Sequence, residues 1–486
     1  MDECRRVENA VDMVLSELPC SVALPAGTGK TELIAAAVAE VARCGGTSLV
    51  LTHTHAGVDA LRQRMQKFDV SGEQVFIRTI DSWSYDLIAH FPDLAGIAVT
   101  DAPDWTISDE YHRAAARAAR SRAVTRMLGV SYTHLFVDEY QDCLIDQHEL
   151  VVAVGKTIPT AVFGDPLQSL FNFGKNLPVD WDSGVVPIFP AVKLDYSPRR
   201  WEPNHKDLGS WLIMIRKNLI NGEPIDLTTA PVSWVRRADY RSYVRVCLKA
   251  LQLNGSVAAL GQYRSDCVKA AGSLKGTYSV MEALDSEVPM ALAEKIDTGE
   301  GPEIAAAVVD FAVGCSTGMA THISSAKRKQ LAEGRSFTTR KTDLQPAYES
   351  VLNVRSDPSP ATVRRAMDML RGLPEVSVYC REAWEEVTTS VAIAGNDGCT
   401  VTEALHQLRN RSRAVGRRPA ARVVSRPLLV KGLEFDHVII LNPERYSAQE
   451  LYVALTRGSK TVTVMSDSAH LAAPRMAVRS SVNEES

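Results

Sequence analysis

The segment LPAGTGKTEL, which runs from Leu24 to Leu33, constrains the fold more than any other part of the sequence. It follows a short apolar run and precedes an amphipathic helical pattern, so it predicts a turn between a buried strand and a helix. Gly27 and Gly29 allow backbone amides to wrap closely around an oxyanion, and the helix that begins near Lys30 adds its positive N-terminal end. We therefore predict a phosphate-binding loop at this turn.

The residues predicted to form the loop are consecutive: Leu24, Pro25, Ala26, Gly27, Thr28, Gly29, Lys30 and Thr31. In such a loop Lys30 reaches the outer phosphates of a nucleotide and the Thr31 hydroxyl ligates Mg²⁺. The first glycine of the generic pattern G-x-x-x-x-G-K-[ST] is replaced here by Leu24, which is a departure from that pattern.

A second segment, LFVDEYQD, supplies the acidic groups that a phosphate-binding loop requires. Its apolar residues predict a buried strand, and Asp138 and Glu139 follow at the strand's carboxyl end. We expect Asp138 to hold Mg²⁺ through water and Glu139 to polarise the attacking water. The two segments together predict a nucleoside triphosphate hydrolase or a nucleotide switch.

Short apolar runs alternate with helical patterns along the chain, which is typical of α/β folds with parallel sheets. The predicted strands lie near Ser21–Leu24, Ser48–Thr52, Gln74–Thr79, Leu135–Val137, Ala161–Phe163, Ser256–Leu260, Ala421–Ser425, His437–Leu441 and Thr461–Met465. These positions favour two sheet domains, residues 1–190 and 191–486. Helical insertions are predicted at about 86–130 in the first domain and at about 268–415 in the second.

The composition of the sequence argues against a membrane-spanning, secreted or disulfide-bonded protein. No apolar run of the 486 residues approaches the roughly 18–20 residues that span a bilayer, and the first residues lack the pattern of a secretory signal. The nine cysteines are scattered without a CxxC pair, which favours reduced thiols in a cytoplasmic protein. The net charge of −4 gives no global attraction to nucleic acid, so a polyanion would have to meet local basic groups.

PAGTGKT and DEYQD together resemble the motifs of superfamily 1 helicases of the UvrD/Rep type, and further motifs of that family follow in order. The resemblance implies two RecA-like P-loop NTPase domains with reduced helical insertions, ATP as the nucleotide and Mg²⁺ as the metal. The family's adenine-reading glutamine, expected upstream of Leu24, is absent, so ATP has less support than Mg²⁺. In the larger members both insertions are much longer.

Two segments resemble the family's DNA-contacting motifs, LTHTHAGVDALRQRM and TIDSWSYDL. The resemblance implies that Thr52, Thr54 and Ser82 contact phosphates and that His53 occupies the place of an aromatic residue that meets a base. An ordinary histidine at a strand end is the alternative for His53. Trp83 either stacks on a base or fills the core, and the core interpretation is favoured.

FGDPLQSLFNFG resembles the motif that couples hydrolysis to DNA. By this resemblance Gln168 senses the γ-phosphate, and Phe171 and Phe173 stand where aromatic side chains wedge between bases, with stacking worth about 1–3 kcal/mol per base. The arginine that the family places next to the second aromatic is Gly174 here.

Three late segments complete the resemblance. LDYSPRRW resembles the motif whose arginine approaches the γ-phosphate, with Arg199 favoured by spacing and Arg200 a close rival. VKGLEFDHVII places Gly432 near the nucleotide or strand and Glu434 on the ribose. LYVALTRG places an arginine finger at Arg457, which the domain prediction assigns to the second domain, opposite Lys30.

The resemblance implies an ATP-dependent translocase or helicase that moves 3′ to 5′ on single-stranded DNA or a tailed duplex. The compact insertions favour a partner protein, such as a nuclease, and the layout is similar to the helicase subunit of Gabija-type anti-phage systems; DNA repair is the other setting. No membrane role is expected. The alternatives are a nucleotide-gated DNA sensor that regulates a partner enzyme, and RNA as the track.

Arginines outside the motifs form two further candidate contacts with nucleic acid. Arg113, Arg117 and Arg120 share one helical face by their spacing. The run RNRSRAVGRR begins at Arg409. A solvated, arginine-rich surface explains both runs equally well.

Overall fold

The computed structural model describes residues 2–98, 103–170, 177–237, 239–283, 286–415 and 420–474. The chain divides into two compact units. The first consists of Met1–Val232, Tyr446–Lys460 and His470–Ser486, and the second of Ser233–Arg445 and Thr461–Ala469.

Helices and strands alternate along the described residues. The helices are α1 (Asp2–Ser16), α2 (Lys30–Arg43), α3 (His55–Lys67), α4 (Ile80–His90), α5 (Pro92–Ala95), α6 (Ser108–Ala119), α7 (Arg122–Ser131), α8 (Ile145–Gly155), α9 (Lys206–Asn221), α10 (Tyr240–Ala250), α11 (Arg264–Ser273), α12 (Glu287–Thr298), α13 (Gly301–Cys315), α14 (Met319–His322), α15 (Ser325–Ala332), α16 (Gln345–Ser356), α17 (Pro360–Arg371), α18 (Arg381–Asp397), α19 (Val401–Val415) and α20 (Ala448–Leu455). The strands are β1 (Cys20–Ala23), β2 (Ser48–Thr52), β3 (Val75–Thr79), β4 (His134–Val137), β5 (Thr160–Gly164), β6 (Ile225–Asp226), β7 (Ser233–Arg236), β8 (Val257–Leu260), β9 (Ser279–Val280), β10 (Ser316–Thr317), β11 (Ser377–Val378), β12 (Arg422–Ser425), β13 (Phe435–Leu441), β14 (Gly458–Ser466) and β15 (His470–Leu471).

The first unit is built on a parallel sheet with the strand order β1-β5-β4-β2-β3. Its central strands β5, β4 and β2 are buried on both faces and form apolar runs, whereas the edge strand β3 alternates between buried and exposed residues. Leu49 and Leu51 of β2 belong to the core that includes residues of α4, α6 and α8. Val50, between them, belongs to the core with α1, α2 and α3. Because the strands are parallel, their carboxyl ends share one edge of the sheet, where loops form a binding site.

The second unit contains a larger sheet with the order β7-β14-β13-β8-β12-β9, in which β8 pairs in parallel with both β12 and β13. Alternate residues of these strands, such as Val257 and Ala259 of β8, enter one large core with the helices of this unit. Trp384 of α18 and Phe311 of α13 lie in that core with their ring centroids 5.8 Å apart.

The α/β class predicted from sequence is confirmed: two parallel-strand sheets flanked by helices, as in RecA-like P-loop domains. All nine predicted strands are present with ends that agree within three residues. The short strands β6, β9, β10, β11 and β15 were not predicted, because two residues leave no periodic pattern. The edge strand β7 was also not predicted, and none of its four residues is fully buried.

The compact units differ from the predicted domains, which were divided at residues 190 and 191. The first unit extends to Val232 and also includes residues 446–460 from near the end of the chain. The reason is packing: α20 contacts both α9 and the 3₁₀ turn Pro166–Gln168 of the same unit. Arg457, predicted to lie in the second domain, therefore belongs to the unit that contains Lys30.

None of the helices among the described residues is both long and apolar enough to cross a membrane.

The core beneath the first sheet can be tested through Phe163 of β5, which is fully buried and has its ring centroid 6.4 Å from that of Phe136. We expect Phe163→Ala to lower the free energy of unfolding by about 3–5 kcal/mol, because the cavity cannot refill. Phe76→Ala on β3 is the control, because 43% of this residue is exposed, and we expect a loss of about 1 kcal/mol. Urea-induced unfolding measures both, and equal losses would contradict the assigned core.

Candidate nucleotide site

The predicted phosphate-binding loop lies between β1 and α2 at the carboxyl edge of the first sheet. Gly27 and Gly29 have φ angles of +68° and +94°, which L side chains rarely adopt. Gly29 caps α2, and its carbonyl oxygen accepts the Leu33 N–H at 2.9 Å. Leu24, which replaces the first glycine of the generic pattern, is 4% exposed and packs in the core beneath the sheet. The Leu24 side chain therefore contributes to the hydrophobic core of the first unit.

Gly27 is also required by space. A Cβ atom at this position would lie 2.6 Å from the ring of Trp201, which is itself buried. The Trp201 indole N–H donates to the Gly458 carbonyl at 2.7 Å, and the Arg200 N–H donates to the Gly27 carbonyl at 3.0 Å. Residues about 170 positions later in the sequence therefore pack against this loop.

The acidic pair after β4 lies beside this loop. The Lys30 ammonium is 3.9 Å from the Glu139 carboxylate, and Lys30 is 8% exposed. Asp138 is 4% exposed, and its carboxylate accepts the Glu139 N–H at 2.8 Å. Burial and the neighbouring Glu139 charge raise the pKa of Asp138 to about 7, although Lys30 acts in the opposite direction.

Glu139 adopts a left-handed backbone conformation, with φ of +55°. This region is unfavourable for a residue other than glycine, and such conformations cluster at functional sites. The turn it makes leads directly into the 3₁₀ segment Tyr140–Asp142 and leaves the Glu139 side chain about one third exposed, beside Lys30. Its carboxylate is therefore both partnered and accessible to water.

A chain of side-chain hydrogen bonds continues from Glu139 to Arg457. Gln141 donates from Nε2 to the Glu139 carboxylate at 2.5 Å and accepts the Asp165 N–H at its Oε1 at 2.9 Å. The Asp165 carboxylate accepts from Gln168 Nε2 at 2.8 Å. Gln168 Oε1 in turn accepts from Arg457 at 3.0 Å. The structure thus brings the predicted residues Lys30, Glu139, Gln168 and Arg457 into one connected site.

The partners fix how each amide in this chain is oriented. A carboxylate only accepts hydrogen bonds and a guanidinium only donates them, so the Gln168 NH₂ faces Asp165 and its carbonyl faces Arg457. Asp165, Gln168 and Arg457 are 0%, 5% and 2% exposed, so each bond is made away from water. In such surroundings an unmade hydrogen bond is expensive, which favours one arrangement of the whole chain.

The two rival arginines have different surroundings. A Cβ atom on Gly29 would lie 3.1 Å from the Arg199 side chain, so Arg199 passes over the loop. Arg200 donates to the Thr456 carbonyl at 2.9 Å, and its guanidinium lies 5.4 Å from the centroid of the Trp201 ring. Both arginines therefore touch the phosphate loop: the side chain of Arg199 lies over Gly29, while the guanidinium of Arg200 turns away to the end of α20.

A cavity of about 300 Å³ adjoins the loop. Thr28 and Gly29 line it from the loop, Leu194 and Tyr196 line it from the segment before Arg199, and Arg6 lies on its α1 side. This size suits a small planar or ring-shaped group. Neither Arg6 nor Tyr196 was predicted as a site residue.

The residues present fit a divalent cation beside the loop. Asp138 is a buried carboxylate next to a second carboxylate, so a cation there would relieve the repulsion that raises its pKa. The predicted partner ligand, Thr31, is the second residue of α2 and is partly exposed. Among the described residues there is no separate cluster of three or more histidine, cysteine or acidic side chains suited to a metal.

The residues predicted to contact DNA differ in how exposed they are and in the hydrogen bonds they make. Thr54 caps α3 by accepting the Gly57 N–H at 3.0 Å, and its side chain is exposed. His53 is partly buried with Nε2 3.5 Å from the Cys143 sulfur, and Ser82 hydrogen-bonds to Thr79 at the start of α4.

Thr52 and Trp83 require a correction. Thr52 ends the buried strand β2 and is 1% exposed, and Trp83 is 7% exposed within the core beneath α4. Both side chains are therefore buried in this structure, which does not fit the predicted contacts with DNA. Of the two interpretations of Trp83, core packing is the one that fits. Phe171 and Phe173 lie outside the described residues, as does Gly174.

The arginine-rich face of α6 is engaged internally. Arg113 pairs with Asp109 and Asp146 at 2.8 and 3.4 Å, Arg117 donates to the Ala95 carbonyl at 2.7 Å, and Arg120 lies 3.6 Å from the Glu149 carboxylate. Arg409 is buried and pairs with Glu386 at 3.2 Å. Arg409 therefore has a structural role, whereas Arg113 and Arg120 form ion pairs at the surface with side chains 45% and 51% exposed.

In the second unit, Gly432 and Glu434 lie in the exposed turn between the 3₁₀ segment Pro427–Val430 and β13. Gly432 has a φ of +77° and open space around its Cα, so it is required by backbone conformation rather than by packing. Leu428, which stands where the resembling family has histidine, is partly buried.

Besides Arg6 and Tyr196, the sequence prediction missed Gln141, Trp201, Arg216 and Tyr452. Arg216 pairs with Asp165, and the Tyr452 hydroxyl accepts the Ala26 N–H. Gln141 and Tyr452 lie inside segments that were recognised, DEYQD and LYVALTRG, so a polar residue next to each motif was an available signal. Arg216 offered a weaker one, a single charge in the apolar run WLIMIRKNLI.

The chain was also compared with models of known protein families. A family model described as an AAA domain matches residues 7–174. The match covers the phosphate-binding loop and the acidic pair, and it indicates a P-loop ATPase domain of a helicase-type family in the first unit. A comparison with curated proteins gave no match.

The contact between Gly27 and Trp201 gives a test of the loop. We expect Gly27→Ala to be more destabilising than Gly45→Ala, because Gly45 also has positive φ, +79°, but open space around it. The strained backbone alone amounts to about 1 kcal/mol, and the clash with the indole adds about 1–3 kcal/mol. Thermal or urea unfolding of both variants measures the difference. Equal effects would mean that Trp201 does not pack on the loop.

Proposed function

We propose that the protein is an ATP-dependent translocase or helicase on single-stranded DNA that moves 3′ to 5′. We further propose that it works beside a partner such as a nuclease, in DNA repair or in an anti-phage system of the Gabija kind. The P-loop ATPase domain is the foundation of this proposal. The DNA track, the direction and the partner extend it through the resemblance of the sequence motifs.

The observation that supports a motor rather than a static nucleotide-binding protein is a chain of contacts from Lys30 to Arg457, in which an ion pair between Lys30 and Glu139 is followed by hydrogen bonds. It connects a phosphate-binding lysine, a carboxylate beside it, a glutamine and an arginine without interruption. A group that binds at Lys30 and Glu139 therefore changes the partners of Gln168 and Arg457. Such a change is what a hydrolysis cycle requires to drive movement elsewhere.

In the proposed reaction, Lys30 neutralises charge on the outer phosphates, and Glu139 accepts a hydrogen bond from the attacking water and orients it. Arg457 stabilises the charge that develops on the transferred phosphoryl group, and Arg199 approaches from across the loop. Thr31 and Asp138 are the residues that would hold Mg²⁺, which would supply further neutralisation of the phosphates. The cavity lined by Tyr196 and Arg6 is the proposed position of the base.

The proposed track depends on residues of the coupling motif. Phe171 and Phe173 follow Gln168 within five residues, so a change at Gln168 is transmitted over a short stretch of chain. Thr54 and His53 are the remaining candidates next to β2. Gly432 and Glu434 are proposed to contact the nucleotide or its ribose, as in the resembling family.

A nucleotide-gated DNA sensor is the second candidate, and one observation favours it. Arginines that would attract phosphates, Arg113, Arg117 and Arg120, are engaged in internal contacts, and Thr52 and Trp83 are buried. A weakly held track suits a protein that binds DNA to switch a partner on. The sensor would hydrolyse ATP with little or no unwinding.

We expect ATP turnover that rises with single-stranded DNA and falls to background in Lys30→Ala and Glu139→Gln. Loss of the water-orienting group lowers the rate on the order of 100–10,000-fold. For Arg457→Ala we expect a loss of about 10³–10⁵-fold, as for an arginine finger. Phosphate release with and without DNA, repeated with RNA and across salt concentrations, measures this.

The matched control is Glu40→Gln, on the outer side of α2, where Glu40 pairs with Arg43 at the surface. We expect its turnover within twofold of that of the unaltered protein. Retention of turnover in Glu139→Gln would overturn the proposed chemistry. A larger stimulation by RNA than by DNA would replace the proposed track.

Strand displacement separates the two candidate functions. On a 3′-tailed DNA duplex we expect the isolated chain to release the labelled strand with ATP, but not with a non-hydrolysable analogue. A 5′-tailed duplex is the control for direction. DNA-stimulated ATP turnover without displacement on either substrate would favour the sensor.

A further inference from the structure

Arg216 is a charged residue in the apolar part of α9, and no motif of the sequence includes it. Its side chain is 14% exposed, and it forms an ion pair with Asp165, whose side chain is fully buried. Burial alone would lower the pKa of Arg216, but the Asp165 carboxylate more than offsets this, so the guanidinium stays charged. Asp165 is the residue whose carboxylate holds Gln168.

Arg216 also contacts Tyr452 of α20. Its guanidinium lies 5.4 Å from the centroid of the Tyr452 ring, in a cation–π contact. The Tyr452 hydroxyl accepts the N–H of Ala26 in the phosphate-binding loop at 3.2 Å. One guanidinium therefore connects the coupling motif, through Asp165, and the phosphate-binding loop, through Tyr452.

A buried ion pair of this kind is not explained by stability alone. Taking two charges out of water is costly, and apolar residues of similar volume often stabilise a protein equally well or better. A planar guanidinium, however, offers several donors in a fixed geometry, which suits a position that must orient two partners at once. The two partners here belong to the two ends of the site.

We propose that Arg216 is a positioning residue of the hydrolytic site. It holds the Asp165 carboxylate so that Gln168 turns its carbonyl toward Arg457. The inference rests on the proposed function, since the reaction it serves is ATP hydrolysis. Arg216 itself has no role in contacting the nucleotide.

The consequence of removing Arg216 follows from the contacts. Without it the Asp165 carboxylate would be buried without its cationic partner, and it would turn away or become protonated. Gln168 would then lose the acceptor that fixes its amide orientation. Arg457 would keep its bonds to the Val453 carbonyl and the Thr456 hydroxyl, but would lose a defined partner at Gln168.

The test compares Arg216→Met and Arg216→Lys with Arg409→Met, which removes another buried, paired arginine from the second unit. We expect Arg216→Met to lower kcat for ATP on the order of 10- to 100-fold while KM changes less than about threefold, because orientation rather than binding is lost. Arg216→Lys should recover part of kcat. Arg409→Met should lower the melting temperature but leave kcat within about twofold.

A double variant makes the result independent of folding defects. Asp165→Asn with Arg216→Met leaves no lone buried charge, so it should fold even if the single variant does not. If Arg216 acts through Asp165, the double variant has a kcat no lower than that of Asp165→Asn alone. Losses that multiply would show independent actions and overturn the inference.

Amide hydrogen exchange separates this inference from the proposed function. We expect faster exchange in Asp165–Gln168 and in α20 for Arg216→Met, but not for Arg409→Met. If the unaltered protein lacks ATP turnover, the proposed function fails, and exchange alone decides whether Arg216 positions these segments. Unchanged exchange in both segments would overturn the inference.

Discussion

The convergence of β1, β4 and β5 at one edge of a parallel sheet is the constraint on which the rest of the structure depends. Each strand ends in a residue that carries chemistry: the loop to Lys30 after β1, Asp138 and Glu139 after β4, and Asp165 after β5. Parallel strands must place these ends side by side, so the sheet assembles the site before any side chain makes a specific contact. The contact of 3.9 Å between Lys30 and Glu139 is a product of that geometry.

Around this edge the protein buries an unusual amount of charge. Lys30, Asp138, Asp165 and Arg457 are each less than a tenth exposed. Buried charges are tolerated only when each is paired, and the pairing makes the arrangement depend on every member. A site of this kind responds strongly to a polyanion, because added negative charge at one end must be balanced by new partners along the chain. The contacts that stabilise the site are therefore the same contacts that a bound polyanion would change.

The sequence predicts the parts of this site whose residues are close together in the chain. The loop around Gly27 and Gly29 and the strands could be predicted, since glycine conformations and apolar runs are local signals. The extent of the first unit could not, because the return of α20 to α9 depends on packing between segments more than 200 residues apart. Arg216 has no local signal beyond a charge in an apolar helix.

The indole of Trp201 is fixed on two sides, by its edge against Gly27 and by its N–H on the Gly458 carbonyl. The loop cannot change its backbone path without pushing the ring, and the ring cannot shift without straining the bond to the first residue of β14. The position of the Trp201 ring therefore depends on the backbone conformation of the loop. We therefore expect the fluorescence emission of Trp201 to differ between the protein with and without a ligand bound at the loop. No added label is needed for this measurement.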